Sequence, residues 1–279
     1  MFVVTGASGF VGTHLVRALS AQGSSVLAVA RRPIPAPPNG KALQIGDYAD
    51  LVPPGRDCVL VDVADTRDLA AAQAAGEAHV EAARERARLL YARDWAFVVV
   101  ASSAAVYGDA QIHAHREDEA VSPASVYARA KHAAENAALA QGGAALRLAN
   151  LYGPGMAANN VLSDILAQCH TAGPIKIRDG GPVRDYLWVA DAVAAFMRVA
   201  TARAGGIWNV GTGRGISARS LARMLATRFG KPDREIVETA PQSTVSHLVL
   251  DCAALAAKLS WTARTSLDDG LSQLAADLK

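Results

Sequence analysis

"MFVVTGASGFVGTHLVRALSAQG", residues 1–23, decides the fold. Its "MFVV" is a short apolar run suited to a buried parallel strand. "THLVRALSAQG" then repeats apolar residues at helical spacing until Gly23 closes the helix. Gly6, Gly9 and Gly12 fall between the two, where a first strand turns into a first helix. A tight turn there lets backbone N–H groups and the positive end of the helix meet a pyrophosphate. Gly6, Ser8, Gly9, Phe10, Val11 and Gly12 are therefore candidate dinucleotide-binding residues. The plainer alternative is a glycine-rich connection with no ligand, and the strand before and helix after weigh against it.

Outward from this turn the chain keeps alternating. "SSVLAVARR" (24–32) reads as a second strand, "ALQIGD" (42–47) as a third and "DCVLVDVAD" (57–65) as a fourth. "DLAAAQAAGEAHVEAARERARLLYARD" (68–94) reads as one long helix, and "WAFVVVASS" (95–103) as another continuous apolar strand. Near-continuous apolar strands separated by helices mean a parallel sheet covered on both faces. The expected fold is an α/β, Rossmann-type doubly wound sheet. Residues 1–150 form its cofactor domain, and 151–279 mainly a smaller C-terminal substrate-binding lobe. "VADAVAAFMRVA" (189–200) and "IWNVGTG" (207–213) are expected to return to the core sheet.

Ligands of such sheets gather at the carboxyl ends of the strands. Ser102 and Ser103 lie at such an end. Downstream, "SVYARAKHAAE" (125–135) puts Tyr127 and Lys131 four residues apart, on one face of a helix. A free tyrosine is a poor base at neutral pH, and an ammonium beside it brings its pKa toward the working range. Ser103, Tyr127 and Lys131 can thus converge beside a cofactor. Two polar residues sharing the face of a surface helix are the bland alternative for the Tyr127–Lys131 pair taken alone.

Composition excludes several classes. With 51% hydrophobic and 19% charged residues, the 279-residue chain is globular rather than disordered. A net charge of +2 does not suggest a nucleic-acid or membrane surface. Cys58, Cys169 and Cys252 show no metal-ligand spacing and read as buried thiols in a reducing compartment. No apolar run reaches membrane-spanning length, and the N-terminus lacks the features of a signal peptide. The expectation is a cytoplasmic protein with no resident metal. His113 and His115 in "QIHAHREDE" are of a type that ligates metals, but the stretch reads as a solvated charged loop.

The motifs together resemble the extended short-chain dehydrogenase/reductases of the NAD-dependent epimerase/dehydratase family, most of which act on nucleotide sugars. The marks are "TGASGFVG", "VVVASSAAVYG", "YARAK", "LRLANLYGPG", "VRDYLWVADAVAA", "IWNVGTG" and "TSLDDGL". The resemblance implies Ser103 as the hydroxyl that bonds the reacting oxygen and Tyr127 as the acid/base. Lys131 would bond the nicotinamide ribose and lower the tyrosine's pKa. Asp47 and Tyr48 match a position that contacts adenine, and Asn150 and Arg184 match substrate positions, the arginine commonly at a phosphate. Relatives dimerise through paired helices, which here implies a homodimer through the Tyr127 helix and the 68–94 helix.

Departures from the family pattern qualify the substrate. "VDVAD" puts Asp62 and Asp65 where His-Leu-Ala-Ala is common, and the usual relay asparagine falls near Ala78 and His79. No Asp-Glu pair precedes "VYG", which disfavours a 4,6-dehydratase. The segment "APQSTVSHLVLD" (240–251) contains no arginine to clamp a second phosphate. The expected activity is hydride transfer on a sugar-like hydroxyl or keto group, probed against two alternatives. One is a carbonyl reductase of a non-nucleotide small molecule. The other is a redox-sensing regulator, whose members typically lose the tyrosine–lysine pair that this chain keeps. An NAD site usually ends its second strand in a carboxylate, and here that place is Ala30, followed by Arg31 and Arg32. Guanidinium groups can grip a 2′-phosphate, so NADP is the expected cofactor, with NAD as the alternative.

Overall fold

The computed structural model describes residues 1–66, 68–158 and 160–277. The first half of the chain runs β1 (Phe2–Thr5), α1 (Phe10–Ala21), β2 (Val26–Ala30), β3 (Gly40–Gln44) and β4 (Val59–Asp62). It continues through α2 (Leu69–Ala75), α3 (Glu77–Tyr91), β5 (Phe97–Ser103), β6 (Ala114–His115), α4 (Val126–Leu139) and β7 (Ala144–Leu148). The second half begins with β8 (Asn150–Tyr152), α5 (Val161–Cys169), β9 (Ile175–Ile177), β10 (Val183–Trp188) and α6 (Val189–Ala202). It ends with β11 (Gly206–Val210), β12 (Gly215–Ser217), α7 (Ala218–Arg228), β13 (Ile236–Glu238), β14 (His247–Leu250), α8 (Ala253–Leu259) and α9 (Leu267–Asp277).

Seven strands form one parallel sheet in the order β11-β7-β5-β4-β1-β2-β3. Apart from the exposed edge strand β3, its strands are largely apolar on both faces, so alternate residues feed two cores. Val4, Val61, Val99 and Leu146 meet Leu15 and Leu19 of α1 and Phe196 and Val199 of α6. Val3, Leu60, Val98 and Val100 meet Leu90 and Tyr91 of α3 and Ala134 and Ala138 of α4. The expected doubly wound sheet is present. Strand order reverses between β1 and β4, the place where such sheets open a crevice at their carboxyl edge.

The second half supplies β11 to this sheet and α6 to its face. Its other strands make a β13–β9 pair and a smaller sheet, β12-β10-β14 with β8 on β10, to which β6 of the first half adds beside β14. A third apolar core, including Tyr152, Leu162, Ile165, Trp188, Leu221 and Leu271, fills this lobe.

The single helix expected over 68–94 is corrected to two. Gly76 adopts φ 56°, a left-handed conformation that ends α2, and its N–H closes on the Ala72 and Gln73 carbonyls. The alanine-rich pattern on either side hid the break. The outer face of α3 pairs its own charges, Arg84 with Glu81 and Arg88 with Glu85.

Candidate active site

The turn after β1 has the geometry that its glycines allow and other residues would not. Gly6 has φ +65°, and a Cβ there would lie 2.7 Å from the Ala64 backbone. A Cβ on Gly12 would lie 2.2 Å from the Gly6 carbonyl oxygen. The chain is thus pressed against the end of β4, and α1 starts at Phe10 with no capping side chain and no acidic residue in its first turn. That leaves its positive end available to an anion. Gly6, Ser8, Gly9, Phe10 and Val11 line a cleft of 1760 Å³, above the roughly 300–1,000 Å³ that one small molecule fills. The cradle fits a dinucleotide pyrophosphate, with space beside it for a second ligand.

Arg31 and Arg32 line the same cleft beyond Ala30. Arg32 reaches back over the turn and donates to the Ser8 carbonyl at 2.8 Å. Tyr48 is buried in the wall, and its hydroxyl accepts from the Gly6 N–H at 3.3 Å. The Asp47 carboxylate instead caps its own turn, accepting from the Ala49 N–H at 3.0 Å.

Strand alternation separates the two serines at the end of β5. Ser102 is buried and donates to Glu135, whose carboxylate holds Arg147 in a two-pronged pair at 3.0 and 2.9 Å. Ser103 points the other way, into the cleft that Tyr127 also lines, and its hydroxyl accepts from the Ala105 N–H at 3.2 Å. Ser125 caps α4, accepting from the Ala128 N–H at 3.1 Å, and this fixes where Tyr127 and Lys131 rise from the helix. Lys131 is 9% exposed, and its ammonium lies 5.6 Å from the Tyr127 ring centre. Ser103, Tyr127 and Lys131 therefore converge at the cleft.

A fourth residue joins them. Asp65, just beyond β4, accepts from Lys131 Nζ at 3.0 Å and from the Tyr127 hydroxyl at 3.4 Å. Lys131 also donates to the Ala101 carbonyl at 3.1 Å. Burial works against the ammonium, yet the Asp65 charge beside it leaves the Lys131 pKa raised. Burial also pushes the Tyr127 pKa up; Lys131 pulls it back, and Asp65 pushes it further. Lys131 thus acts in the expected direction, but burial, the largest cause, together with Asp65 outweighs it and leaves the tyrosine pKa raised.

On the substrate side, Asn150 lies at the start of β8, in register with Tyr186 of β10, and both line the cleft. Arg184 lines the cleft but is heavily engaged. It donates to Asp109 at 3.1 Å, to the Ser246 hydroxyl at 2.8 Å and to the Ser246 carbonyl at 3.1 Å. Lys176 and Arg178, flanking Ile177, line the cleft as well.

Residues 2–211 match the NAD dependent epimerase/dehydratase family. The chain belongs to that family.

Among relatives of this family enzyme, dTDP-L-rhamnose 4-epimerase of Burkholderia thailandensis is 30% identical over 166 residues, 54% of this chain and 46% of that enzyme. The dTDP-6-deoxy-L-talose 4-dehydrogenase (NAD(P)(+)) of Kitasatospora kifunensis is 27% identical over 97% of this chain and 93% of its own length. The structure of MoeE5 in complex with UDP-glucose and NAD superposes with a TM-score of 0.83 at 30% identity, over 100% of this chain and 99% of that one.

In the sequence of this epimerase/dehydratase-family chain Asp65 stands only as a departure from the family pattern, and its place beside Tyr127 and Lys131 emerges from the structure. The signal was present: a carboxylate at the carboxyl end of a strand beside the glycine turn. Lys176 and Arg178 were likewise missed, although "IKIR" alternates apolar and cationic residues as a half-buried strand does. The stretch around His113 is not wholly a solvated loop. His115 is buried in β6, stacks on Tyr107 at 4.7 Å, and with His113 binds Glu119 at 2.8 and 3.1 Å. Glu119 also accepts the Arg116 N–H, so this carboxylate is already satisfied within the protein. Among the described residues no helix is long and apolar enough to cross a membrane.

Proposed function

We propose that the protein is an NADP-preferring oxidoreductase or epimerase of a nucleotide sugar, acting by hydride transfer at a Ser103–Tyr127–Lys131 site. One observation carries the reading: these three side chains converge in the same cleft as the glycine turn. Residues 1–150 serve as the cofactor unit and 151–279 mainly as the substrate lobe.

The nicotinamide supplies or accepts hydride when bound. Gly6, Ser8, Gly9, Phe10, Val11 and the start of α1 hold the pyrophosphate; Tyr48, with Asp47 beside it, shapes the adenine side. Lys131 has three donor protons, two of them given to Ala101 and Asp65, and the third is free to meet a ribose hydroxyl. Tyr127 exchanges a proton with the sugar oxygen, and Ser103 steadies the charge that develops there. Asn150 touches the sugar. A sugar-nucleotide phosphate competes for Arg184 with Asp109 and Ser246, while Lys176 and Arg178 offer charge in place of the arginine that 240–251 lacks.

The NADP preference rests on Ala30 and the two arginines behind it, since a 2′-phosphate meets no carboxylate there. A homodimer through α3 and α4 is part of the reading; exposed charges on α3 make it a polar interface. The MoeE5 complex with UDP-glucose and the dTDP-sugar relatives support UDP- and dTDP-linked hexoses as the substrate class. Native mass spectrometry of the purified protein with a panel of these sugars and their 4-keto forms tests it. Retained NADP and a product mass are expected. A protein that binds neither cofactor under these conditions overturns the reading.

A further inference from the structure

We infer that Asp65 is a positioning residue that keeps Tyr127 in its protonated, proton-giving form and so favours reduction of a carbonyl over oxidation of an alcohol. The inference rests on the proposed proton-transfer role of Tyr127 and adds a direction to it.

The argument starts from donors and acceptors. A carboxylate has no proton to give, so the contact between the Tyr127 hydroxyl and Asp65 Oδ2 requires the phenol to be the donor. Removing that proton would leave two anions 3.4 Å apart. Lys131 is the charge that would otherwise stabilise a phenolate, and it is bound to the same Asp65 oxygen at 3.0 Å. Asp65 therefore acts twice in one direction, by its own charge and by sharing the lysine's.

Among the described residues, Lys131 is the cation that acts on Tyr127. Tyr127 faces Lys131 from its own helix, Asp65 from the end of β4 and the uncharged Ser103 from the end of β5. Behind them, Asp62 adds negative charge near Lys131, and Arg86 lies 3.7 Å from Asp62, which holds it. Asp65 is 41% exposed on its side chain, so its effect is screened but not removed by solvent.

The chemistry follows. In reduction, hydride from the reduced nicotinamide forms the new C–H bond while the carbonyl π pair moves onto oxygen. The Tyr127 O–H bond breaks, and its proton completes the alcohol. In the reverse step Tyr127 must first be a phenolate, the form that Asp65 disfavours. An epimerase needs both steps in each turnover, so this arrangement suits a reductase.

A substrate-free titration decides the matter. The tyrosinate absorbance of wild type minus that of Tyr127→Phe isolates the phenol of Tyr127. The same difference is taken in the Asp65→Asn background, which keeps shape and one acceptor oxygen. The apparent pKa should fall by about one unit or more in Asp65→Asn. An unchanged or higher value overturns the inference. Should Asp65→Asn fold poorly, Asp65→Ser gives the same readout, with thermal melting as the check on folding. Binding of NADP and NAD to wild type is titrated in parallel. Failure there sinks the functional reading and leaves the Asp65 result standing on its own.

Discussion

The two halves of the cleft are built on opposite principles. At the end of β1 the work is done by backbone: three glycines, an uncapped helix start and no charged side chain in the turn. At the ends of β4 and β5 it is done by side chains from distant parts of the sequence, with Asp65, Ser103, Tyr127 and Lys131 brought together across a parallel sheet. Backbone geometry leaves no room for a side chain at Gly6 or Gly12 without a shift, but it carries little chemistry. Side-chain geometry carries the proposed chemistry, and one residue, as inferred for Asp65, is enough to retune it.

Lys131→Met should give the largest break between the halves, since its ammonium serves both. Turnover falls by roughly 100-fold or more as the proton step loses its charge partner. Cofactor affinity falls by roughly tenfold with the loss of a charged hydrogen bond to ribose. Steady-state kinetics and a cofactor titration read the two effects separately, and an unchanged dissociation constant would remove the ribose contact.

Asp62 joins the halves, and losing it should blur them. It is buried at the end of β4 and accepts from the Thr5 hydroxyl of β1 at 2.5 Å, the Tyr91 hydroxyl at 2.6 Å and the Ala64 N–H at 3.0 Å. Burial opposes its charge, yet Arg86 and these donors hold its pKa below the usual carboxylate range. The sign follows directly: its stabilisation is present above the unfolded value, about 3.9, and is lost as pH falls through the lower folded value. Asp62→Asn should cost roughly 2–3 kcal/mol at neutral pH. Denaturant unfolding at neutral and acid pH should show the difference from wild type shrinking in acid.

Gly12→Ala tests the backbone half. With its Cβ aimed at the Gly6 carbonyl oxygen, the turn must shift, at a cost of roughly 1–3 kcal/mol. Cofactor affinity should suffer, while the Tyr127 titration stays where it is. A variant that binds NADP as wild type does would show that the turn is not the pyrophosphate cradle.

The smallest effect sharpens the backbone half. Ala30→Asp with Arg31→Ser should move the NADP-over-NAD ratio toward NAD by about tenfold, the weight of one charge-assisted contact at an exposed site. Equal or tighter NAD binding by wild type at low salt would contradict the role given to the arginines.

Sequence made the backbone half legible because sterics restrict which residues can stand there. Gly6 marks a left-handed turn between strand and helix, and Gly12 a close approach of the first helical turn to it. The parallel sheet was legible for a similar reason, since β4 and β5 are apolar on both faces. The side-chain half was only partly legible. Tyr127 and Lys131 are four residues apart and declare a shared face, but Asp65 is 62 residues from Tyr127. That contact exists only because β4 and β5 are neighbours in the sheet and α4 packs behind them. Asp109, which occupies Arg184, is 75 residues from it and follows from a register no local pattern encodes.

The most direct test of a cleft with separable halves is hydride transfer in Tyr127→Phe. Wild type and variant, each saturated with NADPH, are mixed with the 4-keto nucleotide sugars of the panel, and loss of reduced nicotinamide absorbance is followed. Oxidation of NADPH should be roughly 100- to 10,000-fold slower in the variant, at an NADPH affinity close to that of wild type. Equal rates in the two proteins would contradict the account.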